Sequence, residues 1–476
     1  MAQVLAIMSV IVVLGILGLL LHNLYTRRYD VLSWRNIFLL GFMHFFGIGS
    51  YYTAIYGVGM YAAGSKGFTT LILALPSFAL VFLIGAKLGA RWKALERVMP
   101  TVELPITSPG LLISIVVLTS VGLLGSMIPM SGYISVLVVQ FKGGLTAAAT
   151  GLATYYLIAK RRNPIAWLVF FGTVGMALVI GTVGSIERRS TLGVIMAIGW
   201  MWWYFSLRGG AAATTILRLS GLAAVGVVVL LAYAGIRFST FGGSARDGSG
   251  FGIQHRANQI SELIKNPTIG KGSVDNFLYS DTPPITMFVI ENYPDPYKYM
   301  PFQGAWYLIT NPIPRRLFVS KPEPMATIVQ DQLRAQANLG IGIIGHGWAE
   351  GGWLGVLGYA GFFGIVCGAV DALIRRRAWN PYFIAAIGSC LGQLVAIPRG
   401  ECSLFFLLVI AGFIGAVVVL YSARLFAGAV MAAAPLTLTP LNAWIGVQSE
   451  EGESKHGDES WSPEFPEGLP LAYEAY

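Results

Sequence analysis

The chain has 476 residues, of which 55% are hydrophobic and only 12% are charged, and its mean hydropathy is +0.66. A soluble domain is about one quarter charged, because its surface must be solvated. A soluble core cannot absorb this excess of apolar side chains, whereas a lipid bilayer can. The composition excludes an ordinary soluble protein and predicts an integral membrane protein.

The net charge of +9 arises from 32 Lys and Arg against 23 Asp and Glu. In a soluble protein this balance would suggest nucleic-acid binding, but here most basic residues flank apolar runs, where membrane topology explains them. No nucleic-acid partner is expected. The three cysteines lie in or beside apolar runs and show no CxxC or Cys/His spacing, so redox and zinc chemistry have no support.

Apolar runs recur along the chain, and each is long enough to cross roughly 30 Å of hydrocarbon as a helix. They are continuous rather than alternating, which favours helices over a β-barrel. The first run lacks a basic leader and a cleavage site, so we expect a retained helix rather than a signal peptide. The sequence predicts an all-α polytopic protein with about eleven spans, at residues 4–24, 37–62, 69–90, 108–127, 133–159, 164–184, 190–207, 215–236, 352–374, 381–398 and 402–424.

The fifth span is the weakest of the eleven. Its outer half is a poor lipid-facing helix because it contains Pro129, Gln140, Lys142, Gly143 and Gly144. A shorter helix from about Gly143, preceded by a re-entrant turn, is an equal alternative. Both versions cross the membrane once.

Basic residues cluster in every connection that follows an odd-numbered span. The positive-inside rule places these connections in the cytoplasm. The N-terminus and the long connection after the eighth span are then outside, and the C-terminus is inside. The clusters are Arg27, Arg28 and Arg35; Lys87, Arg91, Lys93 and Arg97; Lys160, Arg161 and Arg162; Arg208 and Arg218; Arg375, Arg376 and Arg377; and Arg424.

This arrangement divides the chain into four parts. Residues 1–236 form a bundle of about eight transmembrane helices, 237–351 a large extracytoplasmic loop, and 352–424 three further helices. Residues 425–476 form a cytoplasmic tail whose Glu, Ser, Pro and Gly content predicts disorder. No internal repeat of the kind found in transporters is visible. Since binding groups concentrate in loops, we expect the function at the outer face.

Arginines on short outer loops oppose the positive-inside bias and need another explanation. Arg188 and Arg189 follow Glu187 between the sixth and seventh spans, and Arg399 precedes Glu401 between the tenth and eleventh. Local ion pairing, Glu187 with Arg188 and Arg399 with Glu401, is one explanation. An anionic ligand such as a pyrophosphate is the other, because guanidinium groups bind phosphate with two hydrogen bonds.

The large loop contributes further candidate groups. Residues 255–265, which include Arg256, predict an amphipathic helix that could equally lie on the membrane surface. Tyrosines and tryptophans between residues 293 and 307, among them Tyr299 and Trp306, predict either an interfacial belt or a platform for sugar rings.

His346 and Glu350 precede the ninth span and are four residues apart, so they could share one helix face. His is the readiest general base near neutral pH, and Glu follows when it is desolvated. A structural role as the cap of the ninth span is the alternative. The chain has no P-loop lysine motif, HExxH, GxSxG or clear DxD pair.

Residues 313–322 read IPRRLFVSKP and are followed by GIGIIGHGWAEGGWLGVLGYAGFFG. This combination resembles the O-antigen polymerase (Wzy-type) and oligosaccharide repeat-unit polymerase family. Such proteins often carry a "PR-x-L…KP" segment in their large outer loop and a glycine-rich entry to the next helix. Sequence-specific matching covers about 50 residues, whereas the many-span layout covers nearly the whole chain.

The resemblance implies a GT-C-like glycosyltransferase of the bacterial inner membrane. Such an enzyme transfers a growing glycan from its polyprenyl pyrophosphate to the next lipid-linked repeat unit and thereby builds surface polysaccharide. A chain-length regulator and a flippase are candidate protein partners, and no metal or cofactor is expected. A ligase that moves the finished glycan to another acceptor, or a flippase for lipid-linked glycan, are the alternatives.

The candidate residues come from the resemblance and from the outer loops. The family motif places Pro314, Arg315, Lys321, Pro322 and Glu350, whereas Arg188 and Arg399 match by loop location only. We predict that Arg188, Arg315 and Arg399 converge on a phosphate-binding cleft. The catalytic candidates are Glu350 and His346, and the candidates for pyrophosphate or glycan binding are Arg188, Arg189, Arg256, Arg315, Arg316, Lys321, Arg399, Tyr299 and Trp306.

The predicted topology can be tested with reporter fusions that distinguish the two sides of the membrane. Fusions at Gly250, Arg376 and Glu450 should report outside, inside and inside, because the basic connections are retained in the cytoplasm. A cytoplasmic signal at Gly250 would contradict the placement of the large loop.

Overall fold

The computed structural model describes residues 1–427 apart from 28, 58–63, 100–103, 105, 128–132, 183–187, 209, 242–279 and 336–338. Every regular element in this part of the chain is a helix, so the prediction of an all-α protein is confirmed there. The predicted helix at 255–265 and nearly all of the acidic tail lie outside the described residues.

The N-terminal half consists mainly of long helices, with a few short ones among them. Two of them continue through a wider, π-helical turn, at Met43–Ile48 and at Trp203–Leu207. The helices are α1 (Ala2–Thr26), α2 (Trp34–Phe42), α3 (Gly49–Tyr56), α4 (Ser65–Gly89), α5 (Ala94–Val98), α6 (Ser108–Met127), α7 (Tyr133–Ala159), α8 (Pro164–Thr182), α9 (Arg188–Trp202) and α10 (Ala212–Phe241).

The described part of the C-terminal half, from residue 280, has three short helices in the region predicted as the large outer loop. Two long helices follow, and between them lie two short ones. The elements are α11 (Thr282–Asn292), α12 (Gln303–Thr310), α13 (Met325–Gln332), α14 (Gly342–Arg377), α15 (Pro381–Gly388), α16 (Leu391–Leu394) and α17 (Cys402–Ala427).

Eight helices of the described chain are long and apolar enough to cross a membrane, so the protein is a multi-pass membrane protein. They overlap eight of the eleven predicted spans. The predicted eighth span corresponds to α10, and the predicted tenth span corresponds to the two short helices α15 and α16. The predicted fifth span coincides with α7, which is one continuous helix from Tyr133 to Ala159.

At one end of the bundle, polar contacts join the interhelical segments that carry the basic clusters. Arg208 donates two hydrogen bonds to the Asp30 carboxylate, at 2.8 and 3.0 Å. The Asp371 carboxylate accepts a hydrogen bond from the backbone N–H of Trp34 at 2.7 Å. We call this the basic end. Further contacts here join Arg27 to Gly210, Arg35 to Asp371, Arg376 to Glu96 and Arg377 to Met99.

The opposite end, which we call the His346 end, is where α11 contacts the start of α4. The Glu291 carboxylate accepts a hydrogen bond from the backbone N–H of Gly67 at 2.6 Å. The ammonium group of Lys66 donates to the Tyr293 carbonyl at 3.0 Å. These contacts attach part of the predicted outer loop directly to the transmembrane helices.

Helix α14 packs closely against α4 because both present glycines at the contact. A Cβ added at Gly85 would lie 2.6 Å from the carbonyl oxygen of Gly361. Such a short distance to backbone atoms leaves no room for a side chain. Backbone-to-backbone packing of this kind is common between membrane helices.

Gly85→Ala should therefore destabilise the protein by about 1–3 kcal/mol, because the added methyl group forces the two backbones apart. Thermal unfolding in detergent would measure the change. Gly358→Ala on α14 is the matched control, since a Cβ there meets no atom within 4 Å and alanine favours the helix. Equal melting temperatures of Gly85→Ala and Gly358→Ala would contradict this interpretation of the contact.

Candidate functional site

The candidate site lies where α14 is broken. Gly351 and Gly352 interrupt the helix, and Gly352 has a φ of +59° and a ψ of −133°, a conformation that favours glycine. Beyond the break, the backbones of Gly347 and Gly355 touch, since a Cβ at Gly347 would lie 2.8 Å from the Gly355 carbonyl carbon. The first segment of the helix is therefore turned against the second, and Glu350 lies at the corner.

His346 is fully buried at the centre of the site. Its Nε2 atom lies 3.0 Å from Oε1 of Glu350, as the four-residue spacing predicts. Its Nδ1 atom lies 3.2 Å from Oε1 of Glu401. A buried imidazole with a carboxylate on each ring nitrogen is held in one orientation, and it connects the two carboxylates through its ring.

Glu350 is fixed by three contacts to the same carboxylate oxygen. Oε1 accepts hydrogen bonds from the backbone N–H of Gly304 at 2.6 Å and from the Tyr359 hydroxyl at 2.8 Å, and the third contact is with His346. In the described part of the chain, Oε2 accepts no hydrogen bond. One oxygen thus orients the carboxylate, while the other is available to a ligand.

Glu401 does not pair with Arg399, which contradicts that half of the local ion-pairing interpretation; the other half, Glu187 with Arg188, lies outside the described side chains. The Oε2 atom of Glu401 accepts a hydrogen bond from the backbone N–H of Ala326 at 2.8 Å, at the start of α13. Its Oε1 faces His346, and burial raises the pKa of the Glu401 carboxyl. Glu401 therefore connects α13 and α17 to the buried histidine.

Two arginines flank the turn that carries Glu401. Arg399 donates a hydrogen bond to Asp281 at 3.3 Å, and its guanidinium lies 5.8 Å from the ring centre of Phe45. The Arg189 guanidinium lies 4.5 Å from the ring centre of Phe405. Arg399 thus belongs to the turn that carries Glu401, and Arg189 contacts the first turn of α17 through Phe405; both residues already have protein contacts.

The other basic candidates of the described chain lie on the segment between α12 and α13. Arg315 and Arg316 are exposed, and Arg315 comes within 4.0 Å of Glu323. Lys321 is buried and donates hydrogen bonds to the carbonyls of Asn311 and Ile313, at 2.6 and 3.1 Å. These hydrogen bonds show that Lys321 stabilises the conformation of the segment between α12 and α13.

Tyr299 and Trp306 flank the segment that reaches Glu350. A Cβ at Gly352 would lie 2.8 Å from the Tyr299 hydroxyl, so Tyr299 lies against the helix break. The neighbouring backbone N–H of Met300 donates to the Ala349 carbonyl at 3.0 Å. Trp306 lies on α12, two residues after Gly304, and half of its side chain is exposed.

The remaining candidates lie outside the described residues in whole or in part. Arg256 and Glu187 belong to undescribed segments, and of Arg188 only the backbone, at the start of α9, is described. Whether Arg188, Arg315 and Arg399 converge stays a prediction, because no described contact joins them.

Sequence reasoning missed three contributors to the site. Glu401 lies 51 positions beyond Glu350 and was explained by its neighbour Arg399. Tyr359 lies nine positions after Glu350, a spacing that places it off the helix face unless the helix breaks. Gly304 acts through its backbone N–H. The signal that could have found Tyr359 is the Gly351–Gly352 pair, because two adjacent glycines weaken a helix.

The described residues include no group of three or more His, Cys, Asp or Glu side chains arranged to hold a metal ion. No protein-family model matches the chain, and neither a curated protein nor a solved structure matches it.

The contact between His346 and Glu401 can be tested with a double-mutant cycle. Each of His346→Leu and Glu401→Gln should destabilise the protein by about 3–5 kcal/mol, because each leaves a buried partner without compensation. The double variant should lose less than the sum of the two, as expected for contacting residues. Unfolding free energies from denaturant titration in mixed micelles would give the coupling.

Glu96→Gln supplies the control for this cycle. It makes the same chemical change at the basic end, where Glu96 contacts Arg376. Combined with His346→Leu it should be additive within about 0.5 kcal/mol. Equal coupling in both cycles would show that His346 and Glu401 do not interact specifically.

Proposed function

We propose that the protein is a GT-C-like glycosyltransferase that polymerises polyprenyl-pyrophosphate-linked oligosaccharide repeat units into surface polysaccharide. The reaction would take place at the outer face of the bacterial cytoplasmic membrane. The observation that carries the proposal is the buried cluster of Glu350, His346 and Glu401, with Arg399 two residues from Glu401. The sequence resemblance to repeat-unit polymerases, which includes the position of Glu350, also supports it.

Glu350 is the general base of this proposal. Its Oε2 would take the proton of the acceptor hydroxyl, while Oε1 stays fixed by Gly304, Tyr359 and His346. The acceptor oxygen then forms a bond to the anomeric carbon of the donor. A base needs only to lie within hydrogen-bond reach of the proton that it removes.

His346 and Glu401 are positioning residues in this scheme. They fix the side of Glu350 that faces the protein, so that its free oxygen keeps one direction. A catalytic carboxylate that is held in the reactive orientation supports a faster reaction than one that is mobile.

The leaving group is polyprenyl pyrophosphate. The bond between the anomeric carbon and the pyrophosphate oxygen breaks, and its electron pair leaves with that oxygen. Arg399, which lies in the Glu401 turn, and Arg189, which contacts Phe405 just after it, would stabilise the developing charge. Fixed positive groups often give the largest single contribution to such catalysis. The activated lipid donor also explains how a bond can form where ATP is absent.

A deletion strain separates the proposed reaction from its alternatives. Loss of a polymerase leaves single repeat units attached to the acceptor. Loss of a ligase leaves long glycan on the lipid carrier, and loss of a flippase leaves no surface glycan. Gel profiles of the surface glycan and of the lipid-linked pool would distinguish these outcomes, and only the first agrees with the proposal.

Glu350→Gln, expressed in the deletion strain, should reduce glycan extension on the order of a hundredfold or more, because the amide keeps the shape but is not a base. Donor binding should survive, since the arginines are unchanged. Asp331→Asn alters an exposed carboxylate on α13 and is expected to restore wild-type chain length. Long glycan from Glu350→Gln at normal expression would rule out Glu350 as the base.

A further inference from the structure

A stripe of large apolar side chains faces outward on the segment that carries Gly304. Phe302, Trp306, Ile309 and Ile313 are four, three and four positions apart, so they follow one face of α12 and its extension. Between 41% and 78% of each side chain is exposed. Leu317 and Val319 continue the apolar surface, with 80% and 85% exposed.

The opposite face of α12 is the buried one. Gly304, Tyr307 and Thr310 lie on it, and the backbone N–H of Gly304 reaches Glu350. A helix in water presents its polar face to solvent and buries its apolar face. Helix α12 does the reverse, and an exposed apolar surface of this size marks a site of interaction.

Two further observations identify what covers this stripe. Helix α12 packs against α17, whose Ile410, Ile414 and Val418 are exposed on a transmembrane helix and therefore face lipid. The apolar stripe thus lies on a helix that packs directly against a transmembrane helix with a lipid-facing side. Exposed Arg315 and Arg316 stand between Ile313 and Leu317, where they could reach acidic headgroups.

We propose that residues 302–319 lie in the headgroup region of the bilayer, with the apolar stripe inserted toward the acyl chains and Arg315 and Arg316 bound to anionic lipid phosphates. Amphipathic segments with apolar and basic residues bind membrane surfaces in this manner. The bilayer contact would hold whatever reaction the protein catalyses. It would place Gly304, and with it Glu350, at the depth of a lipid headgroup.

Site-directed spin labelling of the full-length protein in phosphatidylcholine vesicles, with or without phosphatidylglycerol, tests this placement. The natural cysteines Cys367, Cys390 and Cys402 are buried, so a nitroxide reagent should react with an introduced cysteine. Labels at Leu317→Cys and Ile309→Cys should collide often with oxygen, which concentrates in lipid, and rarely with a water-soluble nickel chelate.

Two labelled positions calibrate the measurement. Leu354→Cys is the reference for lipid, because Leu354 is 85% exposed on the transmembrane helix α14. Lys298→Cys is the reference for water, because Lys298 is an exposed charged residue just before the stripe. Nickel collision at Leu317→Cys equal to that at Lys298→Cys would overturn the proposal. Low collision with both reagents would overturn it as well, since a protein surface or a second copy would then cover the stripe.

The two arginines are tested in the same system. Phosphatidylglycerol should move the label at Leu317→Cys deeper, and Arg315→Gln with Arg316→Gln should abolish that dependence, because the charge that binds the phosphates is removed. If the label at Leu317→Cys lies at the same depth with and without phosphatidylglycerol while both arginines are present, the assignment of these arginines to headgroups is overturned.

Discussion

The buried imidazole of His346, held between two carboxylates, is the interaction on which the His346 end depends. Three parts of the chain meet through it: the first segment of α14, the turn before α17, and, through Glu401, the start of α13. Removing the ring would leave two carboxylates in an apolar surrounding, which is costly in free energy. The same contacts would serve stability and the proposed chemistry, since the ring of His346 that separates the two carboxylates also orients Glu350.

The break at Gly351–Gly352 is what makes this cluster possible. In an unbroken helix, Tyr359 would lie more than two turns from Glu350, and its hydroxyl could not reach the carboxylate. The turn brings them to 2.8 Å and opens a corner into which residues 299–304 fit. Gly304 is confined there, because a Cβ would lie 2.5 Å from both Nε2 of His346 and the Tyr359 hydroxyl. The short distances in the cluster thus depend on three glycines that carry no functional side chain.

Much of the helical architecture could be predicted from the sequence, because long apolar runs in a strongly hydrophobic chain have few alternatives to membrane helices. The pairing of His346 with Glu350 was also predictable, since a spacing of four places both on one helix face. The tenth span was harder. Residues 381–398 are mostly apolar, and although the Gly388–Ser389 pair can kink a helix, the run as a whole predicts one span rather than the interruption at Ser389 and Cys390 that separates α15 from α16. The partners of Arg399 and Glu401 could not be predicted, because Asp281 and His346 are distant in sequence. Arg399 and Glu401 lie two residues apart, so the sequence suggests that they pair with one another.

The interruption between α15 and α16 has a consequence for how the protein is assembled in the membrane. Between these helices of eight and four residues, the backbone N–H groups of Ser389 and Cys390 donate to the carbonyls of Ala385 and Ile387, so the interruption is satisfied within the protein. Their side chains are almost all buried, against α7 and α9 on one side and α17 on the other. Since α17 is synthesised after them, this segment has no complete protein surrounding when it leaves the ribosome. The buried packing of α15 and α16 is therefore complete only once α17 is in place, so this segment depends on a helix that lies later in the chain.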